Sequence, residues 1–119
     1  MPSARRAIGD AGEAAVAAWY ERRGMAVVAR NWRVREGEID LVVAAPDGLL
    51  VFCEVKTRRS ERFGHPAEAV TAAKQARIRR LAAIFLAGSG RSARGVRFDV
   101  AAVRPGPTGW EVDVIADAF

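Results

Sequence analysis

Two apolar segments separated by a short turn constrain this chain most, residues 38–45 (EIDLVVAA) and 49–57 (LLVFCEVKT). Between them lie Pro46, Asp47 and Gly48. Pro and Asp suit the centre of a type I turn, and Gly accepts a positive φ, so the sequence predicts a β-hairpin with a three-residue loop. If the residues that flank the loop pair with each other, Val42 lies opposite Phe52.

The same register brings charged residues together near the open end of the hairpin. Asp40 is expected opposite Glu54, with Cβ atoms about 4.5–5.5 Å apart. Lys56 follows two residues later and therefore points to the same face as Glu54. Regular alternation also places Ile39 and Leu41 together on the face opposite Asp40.

The hairpin is apolar on both faces over much of its length, as in strands that helices cover on each side. Periodicity and turn residues predict helices over residues 3–23 and 67–87 and further strands over 25–33, 95–103 and 110–115. Residues 58–66 are predicted to form a polar, basic loop. We expect one α/β domain over residues 1–119, with a mixed sheet of about five strands flanked by two helices in the order αβββαββ.

Two opposed carboxylates are destabilising unless a positive charge offsets them. Asp40 and Glu54 could supply oxygen ligands to Mg²⁺ or Mn²⁺, with the Val55 carbonyl and waters completing the shell. Lys56 could then orient a water, help to deprotonate it, or stabilise charge on a phosphate. The alternative is a salt-bridge cluster in which Lys56 neutralises both carboxylates.

The charge balance favours a polyanionic partner, since the net charge is +5 and the pI is near 10.6. Of the 19 basic residues, 17 are Arg, so Lys56 and Lys74 stand out as positions where a compact ammonium is used. Arg58, Arg59 and Arg62 directly follow Lys56 and are the first candidates for phosphate contacts. Lys74 is predicted either to contact phosphate or to lie on a solvated helix face.

The remaining polar and aromatic residues are expected to be structural. Cys53 lies in an apolar run and is predicted to be a buried thiol of a reducing compartment. His65 is interpreted as a loop residue, and Asp99 as the partner of an arginine. Trp32 and Trp110 are expected to pack in the core or at its rim.

Nothing in the sequence approaches the roughly 18 consecutive apolar residues that a membrane span requires. No apolar segment follows the arginines at the N-terminus, as a signal peptide would need. We therefore expect a cytoplasmic protein that does not bind membranes.

Several segments together resemble the YraN family of small bacterial proteins. That family belongs to the PD-(D/E)xK nuclease superfamily, with a restriction-endonuclease-like core similar to archaeal Holliday-junction resolvases. The resemblance implies metal-binding roles for Asp40 and Glu54 and a catalytic role for Lys56. It also implies an acidic ligand at Glu13, which by itself reads more readily as a solvated charge on the first helix. The matching segments are GEAAVAAWYERRG (12–24), NWRVREGEIDLVV (31–43), VFCEVKTR (51–58), FGHPAEAVTAAK (63–74), RFDVAAV (97–103) and ADAF (116–119).

The sequence therefore predicts a Mg²⁺- or Mn²⁺-dependent endonuclease that hydrolyses phosphodiester bonds in DNA, including branched or structured DNA. One alternative is a non-catalytic nucleic-acid-binding module. Another is a dimeric adaptor in DNA repair or uptake. A homodimer would also suit the nuclease, since two active sites are needed to cut both strands.

Overall fold

A computed structural model describes the backbone of residues 4–58 and 70–119 and the side chains of residues 9–58 and 70–119. Two helices and five strands follow one another in the predicted order. They are α1 (Ala4–Glu21), β1 (Ala26–Val34), β2 (Gly37–Ala44), β3 (Leu49–Thr57), α2 (Ala72–Ser89), β4 (Gly95–Gly106) and β5 (Gly109–Ile115).

The five strands form one mixed sheet in the order β1-β2-β3-β4-β5, in which only the β3–β4 pair is parallel. Alternate residues of β3 pack against different helices. Val51 and Cys53 belong to the core cluster of α1, whereas Leu50 and Phe52 belong to that of α2. The helices therefore cover opposite faces of the sheet, which confirms the predicted α/β architecture.

The hairpin between β2 and β3 has the predicted loop and register. The Ala45 amide donates to the Leu49 carbonyl at 2.9 Å, and Gly48 has a φ of +93°. Val42 pairs with Phe52, as expected from the loop length.

The predicted alternation along β2 is wrong at one point. Leu41 packs in the α1 cluster, but Ile39 packs in the α2 cluster beside Val42. Arg30 pairs with Leu41 and Trp32 with Ile39, so the residue of β1 between them is Asn31, which has a φ of +50°. This left-handed residue interrupts the regular pleat next to Asp40.

Helix α2 begins later than the periodicity predicts. Thr71 is extended, with φ −66° and ψ 164°, and its side chain accepts a hydrogen bond from the Lys74 amide at 3.2 Å. Thr71 is thus the N-cap, and the apolar pattern that extends N-terminal to it was not a reliable guide to the helix start. Residues 59–69, which include Arg59, Arg62 and His65, lie outside the described residues.

Asp99 is fully buried and joins three parts of the chain. It accepts hydrogen bonds from the Tyr20 hydroxyl at 2.6 Å and from the Asp117 amide at 3.0 Å. The Arg97 guanidinium donates to both of its oxygens, at 2.9 and 3.0 Å. The prediction that Asp99 serves as the partner of an arginine is confirmed.

The predicted packing of Cys53, Trp32 and Trp110 is confirmed. Cys53 is buried and unpaired. Trp32 packs edge-on against Phe85, and Trp110 packs against the α1 cluster.

Gly12 lets α1 approach the end of β3. A Cβ at this position would lie 2.5 Å from Thr57 Oγ1, whereas one at Gly9 would meet nothing within 4 Å. We expect Gly9→Ala to stabilise the protein by up to about 1 kcal/mol, because Ala has the higher helix propensity. Gly12→Ala should instead destabilise it by about 1–3 kcal/mol through overpacking.

Urea unfolding of the two variants checks this expectation. Thr57→Ala should restore most of the stability that Gly12→Ala removes, because it eliminates Thr57 Oγ1, the atom that a Cβ at position 12 would crowd. Equal stabilisation by both glycine substitutions would contradict the proposed close approach.

Candidate functional site

Asp40 lies where β2 and β3 stop pairing through their backbones. The paired residues of this ladder end at Leu41–Cys53. One residue further, Asp40 Oδ2 accepts a hydrogen bond from the Val55 amide at 2.8 Å. A side chain thus replaces the backbone partner of β3 at this point. Since the N–H and C=O of a strand residue point to the same neighbour, the Val55 carbonyl also faces this gap.

Glu54 and two lysines adjoin the gap from the α2 side of the sheet. Lys56 Nζ lies 3.3 Å from Glu54 Oε1, and Lys74 Nζ lies 3.0 Å from the same oxygen. The side chain of Glu54 is 13% exposed, and those of Lys56 and Lys74 are 25% and 31% exposed. The cluster is therefore half-buried, and water can reach it.

Glu13 faces the gap from α1, on the other side of the sheet. Its Oε2 is buried and has no hydrogen-bond partner among the described residues. Burial raises the pKa of the carboxyl group and outweighs the neighbouring Asn31 side chain, which lowers it. A buried carboxylate oxygen without a donor is costly, so Glu13 Oε2 is suited to a water or cation that the protein itself does not supply.

The carboxylates crowd one another electrostatically. Burial raises the pKa of Asp40 to about 7, and the negative charges of Glu54, Glu13 and Glu38 contribute to the same shift. The hydrogen bond from Val55 acts in the opposite direction but is outweighed. Burial likewise raises the pKa of Glu13. Burial and the neighbouring negative charges therefore disfavour the ionised form of Asp40.

The two lysines differ in their protonation. Burial lowers the pKa of Lys56, and the neighbouring Lys74 lowers it further. Burial also opposes the charge on Lys74, but its hydrogen bonds to Lys56 and Glu54 outweigh that effect and raise its pKa. Lys74 therefore holds its proton more firmly than Lys56 does.

The structure brings Asp40, Glu54 and Lys56 to the same end of the hairpin, as the predicted register implies, and their roles stay predictions. Two features were not predicted from the sequence. Lys74 does not lie on a freely solvated helix face, since its ammonium contacts Glu54. Asn31 contributes through its left-handed backbone and its contact with Glu13. The only advance signal for Lys74 was that it is one of two lysines among 19 basic residues.

The predicted phosphate-binding arginines are only partly described. The Arg58 amide donates to the Val103 carbonyl at 2.7 Å, which places this residue directly beyond β3. Arg59 and Arg62 lie outside the described residues.

Neither α1 nor α2, the helices within the described part of the chain, is long and apolar enough to cross a membrane.

The carboxylate oxygens of this site suit a hard divalent cation that takes only a few of its ligands from the protein. Among the side chains of residues 9–58 and 70–119, no three from His, Cys, Asp or Glu are grouped closely enough to hold a metal ion. Mg²⁺ commonly uses one or two carboxylates and keeps several waters, so it needs no such group. A bound divalent cation would offset the crowding of Asp40 by Glu54 and could give the unpartnered Glu13 Oε2 a partner.

The fold and this cluster define an α/β protein with a half-buried carboxylate–lysine site at the end of a strand pair. Residues 12–103 match the family described as "Uncharacterised protein family UPF0102". The chain belongs to this family, which confirms the YraN-like resemblance.

Curated relatives carry the same family designation. A UPF0102 protein of Symbiobacterium thermophilum is 54% identical over 104 residues, which is 87% of each chain. One of Beutenbergia cavernae is 57% identical over 101 residues, which is 84% of each chain. Among solved structures, SfsA of Pyrococcus furiosus in complex with Ca²⁺ aligns with a TM-score of 0.42 and 18% identity. That alignment covers 94% of this chain and 62% of SfsA.

Proposed function

We propose that this protein is a divalent-metal-dependent nuclease that hydrolyses phosphodiester bonds, with DNA as the favoured substrate. One observation carries the proposal: Asp40 and Glu54 lie at the same end of the hairpin, and Lys56 Nζ is 3.3 Å from Glu54 Oε1. Burial raises the pKa of Asp40 and lowers that of Lys56. Such a set of perturbed groups in one half-buried place is typical of catalytic sites.

The residues divide into ligands and a proton acceptor. Asp40 and Glu54 would hold Mg²⁺ or Mn²⁺, together with the Val55 carbonyl, and Glu13 would act through a water. A metal bound there lowers the pKa of a coordinated water and withdraws charge from the phosphate oxygens. The carboxylates themselves fix the position of the cation relative to Lys56.

Lys56 would take the proton of the attacking water. Its lowered pKa increases the fraction of neutral amine at physiological pH. As the water oxygen bonds to phosphorus, the bond from phosphorus to the leaving oxygen breaks, and the leaving oxygen takes a proton from solvent. The ammonium so formed then stabilises the charge on the phosphate.

Positive charge would bring the substrate to this site. The net charge of +5 favours a polyanion, and Arg58, Arg59, Arg62 and Lys74 are the proposed phosphate contacts. The core carries little with which to read bases, so recognition is expected through the backbone and shape of the nucleic acid. A cytoplasmic location and a homodimer remain predictions.

One observation favours a second candidate, a non-catalytic nucleic-acid-binding module. Both lysines contact Glu54, as in a cluster in which salt bridges neutralise the carboxylate. Such a module would bind nucleic acid in a salt-sensitive way without forming any metal-dependent product.

The test is a panel of labelled duplex, single-stranded, flap and junction substrates incubated with Mn²⁺, with Mg²⁺ and with EDTA. We expect cleavage of at least one DNA substrate with metal and none with EDTA. Lys56→Met should lower the rate about 10²–10⁴-fold, since it removes the general base but keeps the aliphatic stem.

Arg80→Met is the matched control, because it removes one exposed positive charge from the same helix that carries Lys74. Its cleavage rate should stay within about threefold of that of the wild type. Salt-sensitive binding of the whole panel without any cleavage would favour the binding module.

A further inference from the structure

The two lysines of this chain meet on one carboxylate oxygen although they come from different elements. Lys56 follows Glu54 along β3, whereas Lys74 lies in the first turn of α2. Their Nζ atoms are 3.3 and 3.0 Å from Glu54 Oε1. Because every other basic side chain except His65 is Arg, lysine at both positions indicates that a compact ammonium is needed there.

The backbone of Lys74 is fixed, but its side chain has room to move. Its amide is held by the Thr71 cap at 3.2 Å, and the Gln75 amide donates to the Thr71 carbonyl at 2.8 Å. The Lys74 side chain is about one-third exposed. Its ammonium can therefore leave Glu54 by rotation about side-chain bonds, without any displacement of α2.

An ammonium and a divalent ion cannot both stay on this carboxylate without strong repulsion. Resting on the function proposed above, we propose that Lys74 occupies Glu54 in the metal-free protein and is displaced when a divalent ion binds. The released ammonium then contacts a phosphate of the nucleic-acid substrate. Lys74 would thus couple the filling of the metal site to the binding of substrate.

The first measurement is Mn²⁺ affinity by isothermal titration calorimetry. Lys74→Met removes the competing charge and keeps the aliphatic stem, so it should bind Mn²⁺ about tenfold more tightly than the wild type. Lys74→Arg retains a cation and should bind Mn²⁺ no more tightly than the wild type. The control Arg80→Met should change the affinity by less than about twofold, because salt screens the charge of an exposed side chain.

The outcomes separate this inference from the proposed function. If the wild type binds Mn²⁺ but Lys74→Met binds it equally or more weakly, the displacement of Lys74 is overturned and the nuclease proposal stands. If the wild type binds no Mn²⁺, both are overturned. Circular dichroism verifies folding, and Lys74→Gln replaces Lys74→Met if the methionine variant does not fold.

The second measurement compares duplex binding in Ca²⁺ and in EDTA by fluorescence anisotropy. A released Lys74 contributes to phosphate binding only when the metal site is filled. Lys74→Met should therefore weaken binding about fivefold in Ca²⁺ and less than about twofold in EDTA. An equal loss in both conditions would show that Lys74 contacts nucleic acid independently of the metal, and would overturn the coupling.

Discussion

Asp40→Asn is expected to remove most of the metal-dependent cleavage while making the metal-free protein more stable at neutral pH. The amide oxygen of asparagine can still accept the hydrogen bond from Val55, so the local fold is preserved. The charge that would hold the cation is lost. We expect the cleavage rate to fall about 10³-fold, as when one preorganised electrostatic contact is removed from an active site.

The stability gain follows from the pKa of Asp40, which rises from an ordinary 3.8 to about 7 in the folded protein. The folded state then binds the proton more tightly than the unfolded state does. The stabilisation from protonated Asp40 is complete below about pH 4 and is lost as the pH rises to about 7. Its slope is at most about 1.4 kcal/mol per pH unit.

Urea unfolding in EDTA from pH 4 to 8 measures this effect. The free energy of unfolding of the wild type should fall relative to that of Asp40→Asn across this range. Parallel curves for the two proteins would contradict the raised pKa.

In the wild type, Mn²⁺ affinity should rise about tenfold per pH unit until Asp40 is ionised near pH 7, and then level off.

Asp99→Ala is expected to have the largest effect on stability of any single charge removal described here. The carboxylate is fully buried and receives hydrogen bonds from Tyr20, Arg97 and the Asp117 amide. Its removal leaves the buried Tyr20 hydroxyl without its acceptor and the partly exposed Arg97 guanidinium without its carboxylate. Breaking such a network costs about 3–5 kcal/mol.

Asp113→Ala is the matched control. Asp113 also pairs with an arginine, Arg104, at 3.3 Å, but its side chain is 66% exposed. Exposed pairs contribute at most about 1 kcal/mol, so this variant should unfold close to the wild type in urea. If the two variants lost similar amounts of unfolding free energy, burial would not be what makes Asp99 important for stability.

The local features of this protein were predictable because neighbouring residues determine them. The loop Pro46–Gly48 sets the register of β2 against β3 through its own length and backbone preferences. That register brings Asp40 and Glu54 close together, and strand alternation adds Lys56. Three residues of the candidate site thus follow from one turn.

The features that were missed depend on contacts between distant segments. The ion pair of Lys74 arises only when α2 packs over β3, and the Thr71 cap decides where that helix begins. The pleat breaks at Asn31 because this residue adopts a positive φ beside Asp40. Alternation along β2 did not place Ile39, which packs with side chains of α2 that the strand pattern does not contain.

The most direct test of the metal site is a crystal structure of the protein grown with Mn²⁺, with anomalous scattering measured at the manganese edge. The account predicts one anomalous peak about 2.0–2.3 Å from an oxygen of Asp40 and an oxygen of Glu54, with Lys74 turned away from Glu54. A map without a peak there, in which both lysines still contact Glu54, would contradict the claim that these carboxylates hold a divalent cation.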